Sequence, residues 1–470
     1  MPREVGSFLG EWWLPDKPER RVAGLLHITD RGDLQLETTR LFEEREPFDL
    51  TIEDTYPVVH GRAGKKEFTL LDVLPTTPYR PSTCLIGATL APEHLKFNRI
   101  CIAFPNLTRF TGSTGLSRTR TGDSPTHTWK RPPSRRTRIS EGAYVDLSFS
   151  WESPSERDKL TIAETAYFDV QVDDPTEIES LHQHIGPIRQ LVSLGFGDSV
   201  APCAVDVFTP YVTSDIGAKS VEEPLELIRA YVHPDDQIDP DIWPMFTLDD
   251  LPGSFEGALP RWYELSRRLE PALVVYFGAL YGRPRYRDDE LLLLVIAAES
   301  YHRLSPHFQQ TTQGKDVDRW NAVLASAPTE LKDWLGGRIG ESLQRRLWER
   351  LRDLAHHPGP SGRRIAKRIP DFPSKLANWR NRLIHYDPTK DAARLDGAQM
   401  AHACFVLRCL LTGCLLRDMG VEEATVEVML GRSRPARYAM ELNPWEDFAK
   451  SAESEPNRSD GVSPGVPEDP

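Results

Sequence analysis

Short apolar or alternating runs, separated by Gly, Pro and Asp, fill the chain from about residue 6 to residue 172. Alternation of apolar and polar side chains is typical of strands that bury one face. This part of the chain is therefore predicted to be rich in β-strands. The predicted strands cover residues 22–28, 34–36, 68–74, 84–90, 100–104 and 143–151.

After Asp173 the apolar residues recur at spacings of three and four, which indicates helices. A strand-like segment at 204–212 interrupts this pattern, and the Pro and Asp residues of 232–252 indicate a surface connection. From residue 259 to about 429 the chain is predicted to be mostly helical. The helical segments cover residues 262–280, 288–303, 320–324, 342–356, 374–386 and 399–419.

These patterns predict an α+β protein with two folded domains, as a chain of 470 residues favours. A β-rich N-terminal domain with helical elements after 173 is expected over residues 1–255. A helical bundle is expected over 256–440. The tail at 441–470 carries few apolar residues and is predicted to be disordered.

Composition narrows the class of protein. The formal charge of -13 argues against a general nucleic-acid coat protein, so any RNA site must be local. The six cysteines show no Cys-x-x-Cys pair, which favours a reducing compartment. The apolar stretches at 291–298 and 409–416 are shorter than the ~20 residues of a membrane helix. A cytoplasmic protein without membrane contact is expected.

The helical segment near the C-terminal end carries an Arg-x4-His spacing from Arg380 to His385. Arg presents a planar fork to phosphate oxygens, and His exchanges protons near neutral pH. The pair is suited to cleaving an RNA phosphodiester without a metal. Elsewhere the paired histidines do not have the spacing of metal ligands, so no metal or cofactor is expected.

Helix geometry separates the side chains of this segment into faces. At about 100° per residue, Asn381 and His385 lie together on a face opposite an apolar stripe. Arg380 lies about 140° from His385. It joins the pair only if its side chain curls around the helix or if the last turn before Pro388 is loosened. The stripe consists of Leu376, Trp379 and Leu383.

The sequence Asn378-Trp-Arg-Asn-Arg-Leu-Ile-His-Tyr386 resembles the signature of HEPN ribonucleases, and more narrowly that of the ApeA-like HEPN family of bacterial antiviral proteins. The opening Gly10-Glu-Trp-Trp-Leu-Pro, followed by Gly24-Leu-Leu, resembles the N-terminal domain that accompanies these modules. The resemblance implies that the helical region is an all-α HEPN bundle. It also implies that Arg380, Asn381 and His385 form the active site.

In that family an RNA 2′-hydroxyl attacks the adjacent phosphate and leaves a 2′,3′-cyclic phosphate. The resemblance assigns His385 as general acid and base, Arg380 as the stabiliser of transition-state charge, and Asn381 as an orienting group. HEPN domains typically dimerise with these helices facing one another. A homodimer or a higher even-numbered homo-oligomer is therefore expected, with a site lined by both copies.

Two further residues are candidates for supporting roles. Glu299 is predicted to pair with Arg380 across the bundle, with an unpaired place at a helix end as the alternative. Arg382 either contacts the RNA backbone or is a solvated arginine. The neighbouring His302 is expected to be solvated.

Two basic segments are candidate RNA contacts. Residues 338–385 carry twelve cations against four acids, and residues 108–138 carry eight cations against one acid. The second segment is rich in Gly, Ser, Thr and Pro, so it is predicted to be an irregular, mobile loop rather than a packed element, and to bind RNA or a phage component. In both segments the alternative is a solvated or internally paired surface. The candidates are Arg363, Arg364, Lys367, Arg368, Trp129, Arg135 and Arg136.

Three functions are compatible with these observations. The first is a metal-independent HEPN endoribonuclease in antiphage defence that cuts transfer or other host RNA and responds to a phage-derived trigger. The second is a non-catalytic HEPN scaffold that dimerises and binds RNA or a protein partner. The third is an unrelated hydrolase in which the Arg-x4-His spacing arose by chance.

Overall fold

The computed structural model describes residues 5–42, 55–121, 124–153, 155–156, 159–217, 219–231, 242–282, 286–309, 315–342, 345–385 and 394–445. Strands dominate the first half of these residues, and helices dominate the second half. The strands are β1 (Gly6–Trp13), β2 (Val22–Ile28), β3 (Leu34–Thr38), β4 (Tyr56–Ala63), β5 (Lys66–Val73), β6 (Thr83–Ile86), β7 (Phe97–Ala103), β8 (Leu116–Thr121), β9 (Ser124–Trp129), β10 (Arg135–Ser140), β11 (Ala143–Glu152), β12 (Ser155–Glu156), β13 (Lys159–Leu160), β14 (Ala163–Thr176), β15 (Ala204–Phe208), β16 (Thr213–Ile216), β17 (Lys219–Glu222) and β18 (Leu225–Ile228).

Three short helices lie within or beside the strand region, and the others follow it. Two single-turn 3-10 helices span Pro92–His94 and Leu248–Asp250. The α-helices are α1 (Leu107–Thr111), α2 (Ile178–His182), α3 (Ile185–Phe196), α4 (Ser254–Arg268), α5 (Glu270–Gly282), α6 (Arg287–Leu304), α7 (Pro306–Gln309), α8 (Lys315–Ser326), α9 (Thr329–Ser342), α10 (Leu347–His356), α11 (Pro360–Ala366), α12 (Phe372–His385), α13 (Gly397–Asp418), α14 (Glu423–Arg432) and α15 (Arg434–Glu441).

Twelve of the described strands form one antiparallel sheet in the order β10-β11-β14-β7-β15-β18-β6-β5-β4-β1-β2-β3. The other described strands pair as two-stranded ribbons, β8 with β9, β12 with β13, and β16 with β17. The predicted α+β class is therefore confirmed, with an N-terminal sheet domain followed by a largely helical region. The strand predicted at 22–28 coincides with β2.

The middle of the sheet is covered on both faces. Strands β4, β5 and β6 each contain four consecutive buried residues, whereas β11 alternates buried and half-buried positions. Consecutive buried residues require neighbours on both sides of a strand. In β4, Val58 belongs to the larger hydrophobic core and Val59 belongs to a smaller core around Trp12. A side chain at Gly61 would lie 2.1 Å from the Trp12 ring, so this approach needs glycine.

The larger core is continuous between the sheet domain and the helices. It contains sheet residues such as Phe168 together with helical residues such as Leu407. Helix α4 packs on β10, and the indole of Trp262 donates a 2.7 Å hydrogen bond to the carbonyl of Pro187. The boundary predicted between residues 255 and 256 falls inside α4. The two regions are therefore joined by a shared apolar interior.

Several sequence predictions need correction. The segment 108–138 is not an irregular loop, because it contains most of α1, the β8–β9 ribbon and the start of β10. The helix predicted at 262–280 is two helices, since Pro271 has no N–H to continue the hydrogen-bond ladder of α4. The change to helix predicted after Asp173 comes later, because β14 continues to Thr176.

The tail predicted to be disordered from residue 441 is ordered over its first five residues. Trp445 is 7% exposed, and its indole donates a 2.9 Å hydrogen bond to Nδ1 of His402. Residues 446–470, where the rest of that prediction falls, lie outside the described residues. The buried tryptophan shows that the helical region continues at least to 445.

Among the described residues, one helix is long and apolar enough to cross a membrane, namely α13. By length and composition, the expectation that every apolar stretch is too short to cross a membrane is therefore wrong for α13. The most apolar window of α13 is 83% buried inside the protein. A buried core helix passes the same test of length and composition, so the helix is weak evidence for a membrane.

The shared core predicts a large loss of stability when Trp262 is truncated. Trp262→Ala removes a fully buried indole and is expected to lower the free energy of unfolding by about 3–5 kcal/mol. Trp334→Ala is the matched control, because Trp334 is 61% exposed and its loss is expected to cost less than about 0.5 kcal/mol. Urea unfolding measures both. Equal losses would show that Trp262 does not connect the two regions.

Candidate active site

Helix α12 presents the apolar stripe that its sequence predicts. Leu376 is fully buried, Trp379 is 3% exposed, and Leu383 packs against the same core. The stripe faces α10 and α6, the helices against which α12 packs. Because these contacts orient α12 about its axis, they also determine where the polar residues between them lie.

Arg380 is half-buried and makes two polar contacts. Its Nη2 donates to Oε2 of Glu299 at 3.0 Å, and its Nη1 donates to Oδ1 of Asn381 at 3.1 Å. The Glu299 carboxylate lies on α6, so the ion pair joins two helices of the bundle. The side chains of Arg380 and Glu299 are 22% and 18% exposed, which places the pair at the edge of the interior. The predicted contact between them is therefore present.

The contact with Asn381 bears on the geometry of the motif. Adjacent residues on a helix point in different directions, so Arg380 reaches Asn381 by curling its long side chain around the helix. This is the first of the two routes that helix geometry allowed. His385 is the last residue of α12, and its side chain lies outside the described part of the structure. Whether a second subunit completes the site stays a prediction.

Sequence reasoning missed two further arginines beside Glu299. Arg303 donates to Oε1 of Glu299 at 2.8 Å, as the i, i+4 spacing of the two residues could have indicated. Arg350 on α10 is 6% exposed and interacts electrostatically with Arg303 and Glu299, and its burial lowers its pKa. Two arginines thus pair with one carboxylate while a third contributes to the local field, and the resulting positive charge suits a polyanion.

His302 is not the solvated histidine that the sequence predicts. It is 4% exposed, its Nδ1 accepts from Nη1 of Arg350 at 3.3 Å, and its Nε2 donates to Oδ2 of Asp353 at 3.1 Å. Its ring stacks on Phe308 at a centroid distance of 4.2 Å. Burial lowers the pKa of His302 to about 4, so the neutral ring is the form that fits these contacts. We assign it a structural role between α6 and α10.

The other candidate RNA contacts of the helical region lie on α11 and α12. Arg363 and Arg364 are exposed on α11, Lys367 is exposed at the C-cap of α11, and Arg364 donates to Glu427 at 2.7 Å. Arg368 donates to the carbonyl of Leu442 at 3.2 Å. Half-buried Arg382 lies on α12 two residues after Arg380. The structure therefore brings only Glu299 and Asn381 of the candidates into contact with Arg380 among the described side chains.

The candidates in the sheet domain are engaged within the protein. Arg135 forms ion pairs with Glu256 at 2.6 Å and Asp249 at 2.7 Å, and its hydrogen bonds to Glu256 raise its pKa. Arg136 forms an ion pair with Asp146 at 3.4 Å. The indole of Trp129 donates to Glu164 at 2.8 Å, so this ring is not presented for base stacking in the way the sequence suggested.

Within the described residues, no group of three or more His, Cys, Asp or Glu side chains is placed to hold a metal ion. The polar chemistry at Arg380 is that of guanidinium, amide and carboxylate groups. A guanidinium fork next to an amide can bind and orient a phosphate.

Two family models match the chain. Residues 7–262 match the model described as ApeA N-terminal domain 1, and residues 292–425 match the model described as Apea-like HEPN. The second match contains Glu299 and all of α12, and it defines this region as a HEPN domain, a class that is typically ribonucleolytic. The first match covers more than half of the 470 residues, so the chain belongs to the ApeA family. No curated protein and no solved structure matches the chain.

The position of Glu299 predicts an effect on stability. Glu299→Gln keeps the shape of the side chain but leaves half-buried Arg380 without its counterion, so the free energy of unfolding is expected to fall by about 1.5 kcal/mol. Arg303→Gln removes only the outer contact to a half-exposed arginine and is expected to cost less than about 0.5 kcal/mol. Urea unfolding of the two variants distinguishes them. A larger loss for Arg303→Gln would contradict the assignment.

Proposed function

We propose that the chain is a metal-independent HEPN endoribonuclease. The observation that carries the proposal is the Arg380 side chain, which is oriented by Glu299 and Asn381 on the helix that ends at His385. This helix lies in the segment that matches the Apea-like HEPN model. A positioned guanidinium and an imidazole at this spacing are the groups that cleavage of an RNA phosphodiester requires.

Arg380 has donors left for a substrate. Arginine carries five N–H groups, and the contacts with Glu299 and Asn381 occupy one donor on each terminal nitrogen. The Nε–H group is buried and has no hydrogen-bond partner among the described residues. The donors for a phosphate oxygen are therefore the second N–H groups of the two terminal nitrogens, because the buried Nε–H is out of reach of a substrate. Arg380 therefore combines a fixed orientation with capacity for an anion.

The reaction begins with attack of an RNA 2′-hydroxyl oxygen on the adjacent phosphorus. The proton of the hydroxyl passes to a base, the bond from phosphorus to the 5′-oxygen breaks, and the departing oxygen takes a proton. The products are a 2′,3′-cyclic phosphate and a 5′-hydroxyl. We assign the proton transfers to His385 and the stabilisation of phosphorane charge to Arg380.

We assign Asn381 a more specific role than that of the orienting group predicted from the sequence. Its Oδ1 accepts from Arg380, so the carbonyl end of the amide orients the arginine. The amide nitrogen is the end that can donate to a phosphate oxygen or to the imidazole. Asn381 thus acts as a positioning residue for Arg380, in addition to any contact with RNA.

We further propose that the enzyme acts in antiphage defence by cutting transfer RNA or other host RNA in the cytoplasm. The sheet domain would receive a phage-derived signal, and the HEPN domains would pair in a homodimer or a higher even-numbered homo-oligomer. The continuous core between the sheet domain and the helices supports this division of labour, because a change in one region is mechanically coupled to the other.

The catalytic assignment predicts the effect of two substitutions in α12. His385→Ala is expected to lower the rate of RNA cleavage by at least about 100-fold, since it removes a general acid and base. Arg380→Lys keeps the charge but loses the planar fork and is expected to have a similar effect. Electrophoresis of labelled RNA measures the rates.

Asn378→Ala is the matched control, because Asn378 is exposed on the same helix and should retain wild-type activity. If wild type and His385→Ala cut RNA at the same rate, the catalytic assignment is wrong. If neither cuts RNA but both bind it, the non-catalytic scaffold is the better description.

The mechanism also predicts the response to chelation. Cleavage should persist at an unchanged rate in EDTA, because His385 and Arg380 supply the acid-base and electrostatic functions without a cation. The same assay after dialysis into EDTA measures this. The 5′-hydroxyl ends are identified by direct labelling with polynucleotide kinase, and the cyclic phosphate ends by their resistance to alkaline phosphatase. Loss of activity that is restored by a divalent cation would exclude the proposed chemistry.

A further inference from the structure

The β8–β9 ribbon stands apart from the twelve-stranded sheet and is exposed on both faces. Within the described part of the chain its two strands pair only with each other, from Leu116 opposite Trp129 to Thr121 opposite Ser124. Residues 116–120 and 126–128 are all exposed. An isolated two-stranded ribbon is marginally stable in water. Its base must therefore be anchored to the rest of the protein.

Glu164 on β14 provides that anchor. Its carboxylate accepts three hydrogen bonds from the base of the ribbon, from Oγ1 of Thr114 at 2.6 Å, from the N–H of Gly115 at 2.7 Å and from the indole of Trp129 at 2.8 Å. The Trp129 ring also packs against Trp151 at a centroid distance of 5.5 Å. These contacts hold the base of the ribbon in one position, whereas residues 116–120 and 126–128 beyond it are exposed to solvent.

The two faces of the ribbon differ in chemistry. Side chains alternate between faces along a strand, so Arg118 and Arg120 share one face with His127, the partner of Arg118. The opposite face carries hydroxyl groups, and two of them, on Ser117 and Thr128, are 2.6 Å apart. The ribbon therefore combines a cationic face with a face of hydrogen-bonding hydroxyls.

The charge of this segment is opposite to that of the chain. Residues 116–131 contain four cations against one acid, whereas the whole chain has a formal charge of -13. A second ribbon, β16–β17, contains one cation and two acids between residues 213 and 222. The β8–β9 segment therefore carries an excess of positive charge that β16–β17 lacks. The four cations are Arg118, Arg120, Lys130 and Arg131.

We propose that the β8–β9 ribbon is an RNA-binding arm that contacts the phosphate backbone of the substrate. Arg118 and Arg120 are two residues apart on one strand, a separation of about 6.8 Å. This spacing is close to that of neighbouring phosphates along an extended strand, and arginine forks bind phosphates well. The hydroxyl face can donate to further phosphate oxygens.

This RNA-binding role adds a substrate contact to the proposed ribonuclease function and rests on that proposal. It also replaces the contacts that the sequence suggested for this region. Arg135, Arg136 and Trp129 are engaged within the protein, and Trp129 serves to anchor the arm. Binding away from α12 would add affinity for a long RNA without adding to the chemical step.

The test measures binding of a fluorescein-labelled single-stranded RNA in which every ribose is 2′-O-methylated. This probe lacks the nucleophile and is not cut, so binding is measured on the full wild-type chain. The arm variant is Arg118→Glu with Arg120→Glu. The control is Lys219→Glu with Arg80→Glu, which makes the same charge change at exposed residues outside the arm. Fluorescence anisotropy at several salt concentrations gives the Kd.

The arm variant is expected to bind at least about tenfold more weakly than wild type, and its slope of log affinity against log salt should fall by about 1.4, for two lost phosphate contacts. The control should bind within about twofold of wild type. Arg118→Gln with Arg120→Gln should show a smaller loss in the same direction. With natural RNA, the arm variant should show a raised KM and an unchanged kcat.

Equal binding by the arm variant and the wild type would contradict the proposed RNA-binding role of the arm, even if the wild type cuts natural RNA normally. That result would leave the ribonuclease proposal standing. If the wild type neither binds the probe nor cuts natural RNA, the proposed function and the arm both fail. A loss of binding that the control variant shares to the same extent would also overturn the arm, because it would reflect net charge alone.

Discussion

The packing of α12 against α10 and α6 is the constraint on which the candidate site depends. Leu376 and Trp379 are buried in this contact, so the helix cannot rotate without exposing them. With the helix fixed, Arg380 lies at the edge of the interior, where a carboxylate on α6 can reach it. The interior side of this arrangement is apolar, and its outer side carries an excess of arginine. Burial of the apolar stripe thus determines where Arg380 lies relative to the Glu299 carboxylate.

The same principle joins the HEPN region to the sheet domain. The larger core extends from the sheet through α4 into the helical bundle, so the two regions are not separated by a solvated linker. Under the proposed function such a connection would matter, because a change in the packing of one region would reach the other through the shared core. The β8–β9 ribbon differs in kind, since its base is anchored by Glu164 while residues 116–120 and 126–128 of its strands are exposed.

Regular patterns in the sequence predicted the parts of the fold that regular burial produces. Three- and four-residue spacing predicted the stripe of α12, and alternation predicted β2 and β11. Local composition misled for β8 and β9, where Gly, Ser, Thr and Pro indicated a loop. Their anchor, Glu164, lies 35 to 50 residues away in sequence. His302 was likewise misjudged because Arg350 and Asp353, which bury it, belong to another helix. The Glu299 contact was expected from family resemblance, since spacing alone gives no such pairing.

A double-mutant cycle between Glu299 and Arg380 tests the account most directly. The rate of RNA cleavage by the full chain is measured for wild type, Glu299→Gln, Arg380→Lys and the double variant. If Glu299 acts by positioning Arg380, the double variant should be no more than about twofold slower than Arg380→Lys alone, because the second change removes nothing further. Losses that multiply would show that the two residues act independently and would contradict the proposed site.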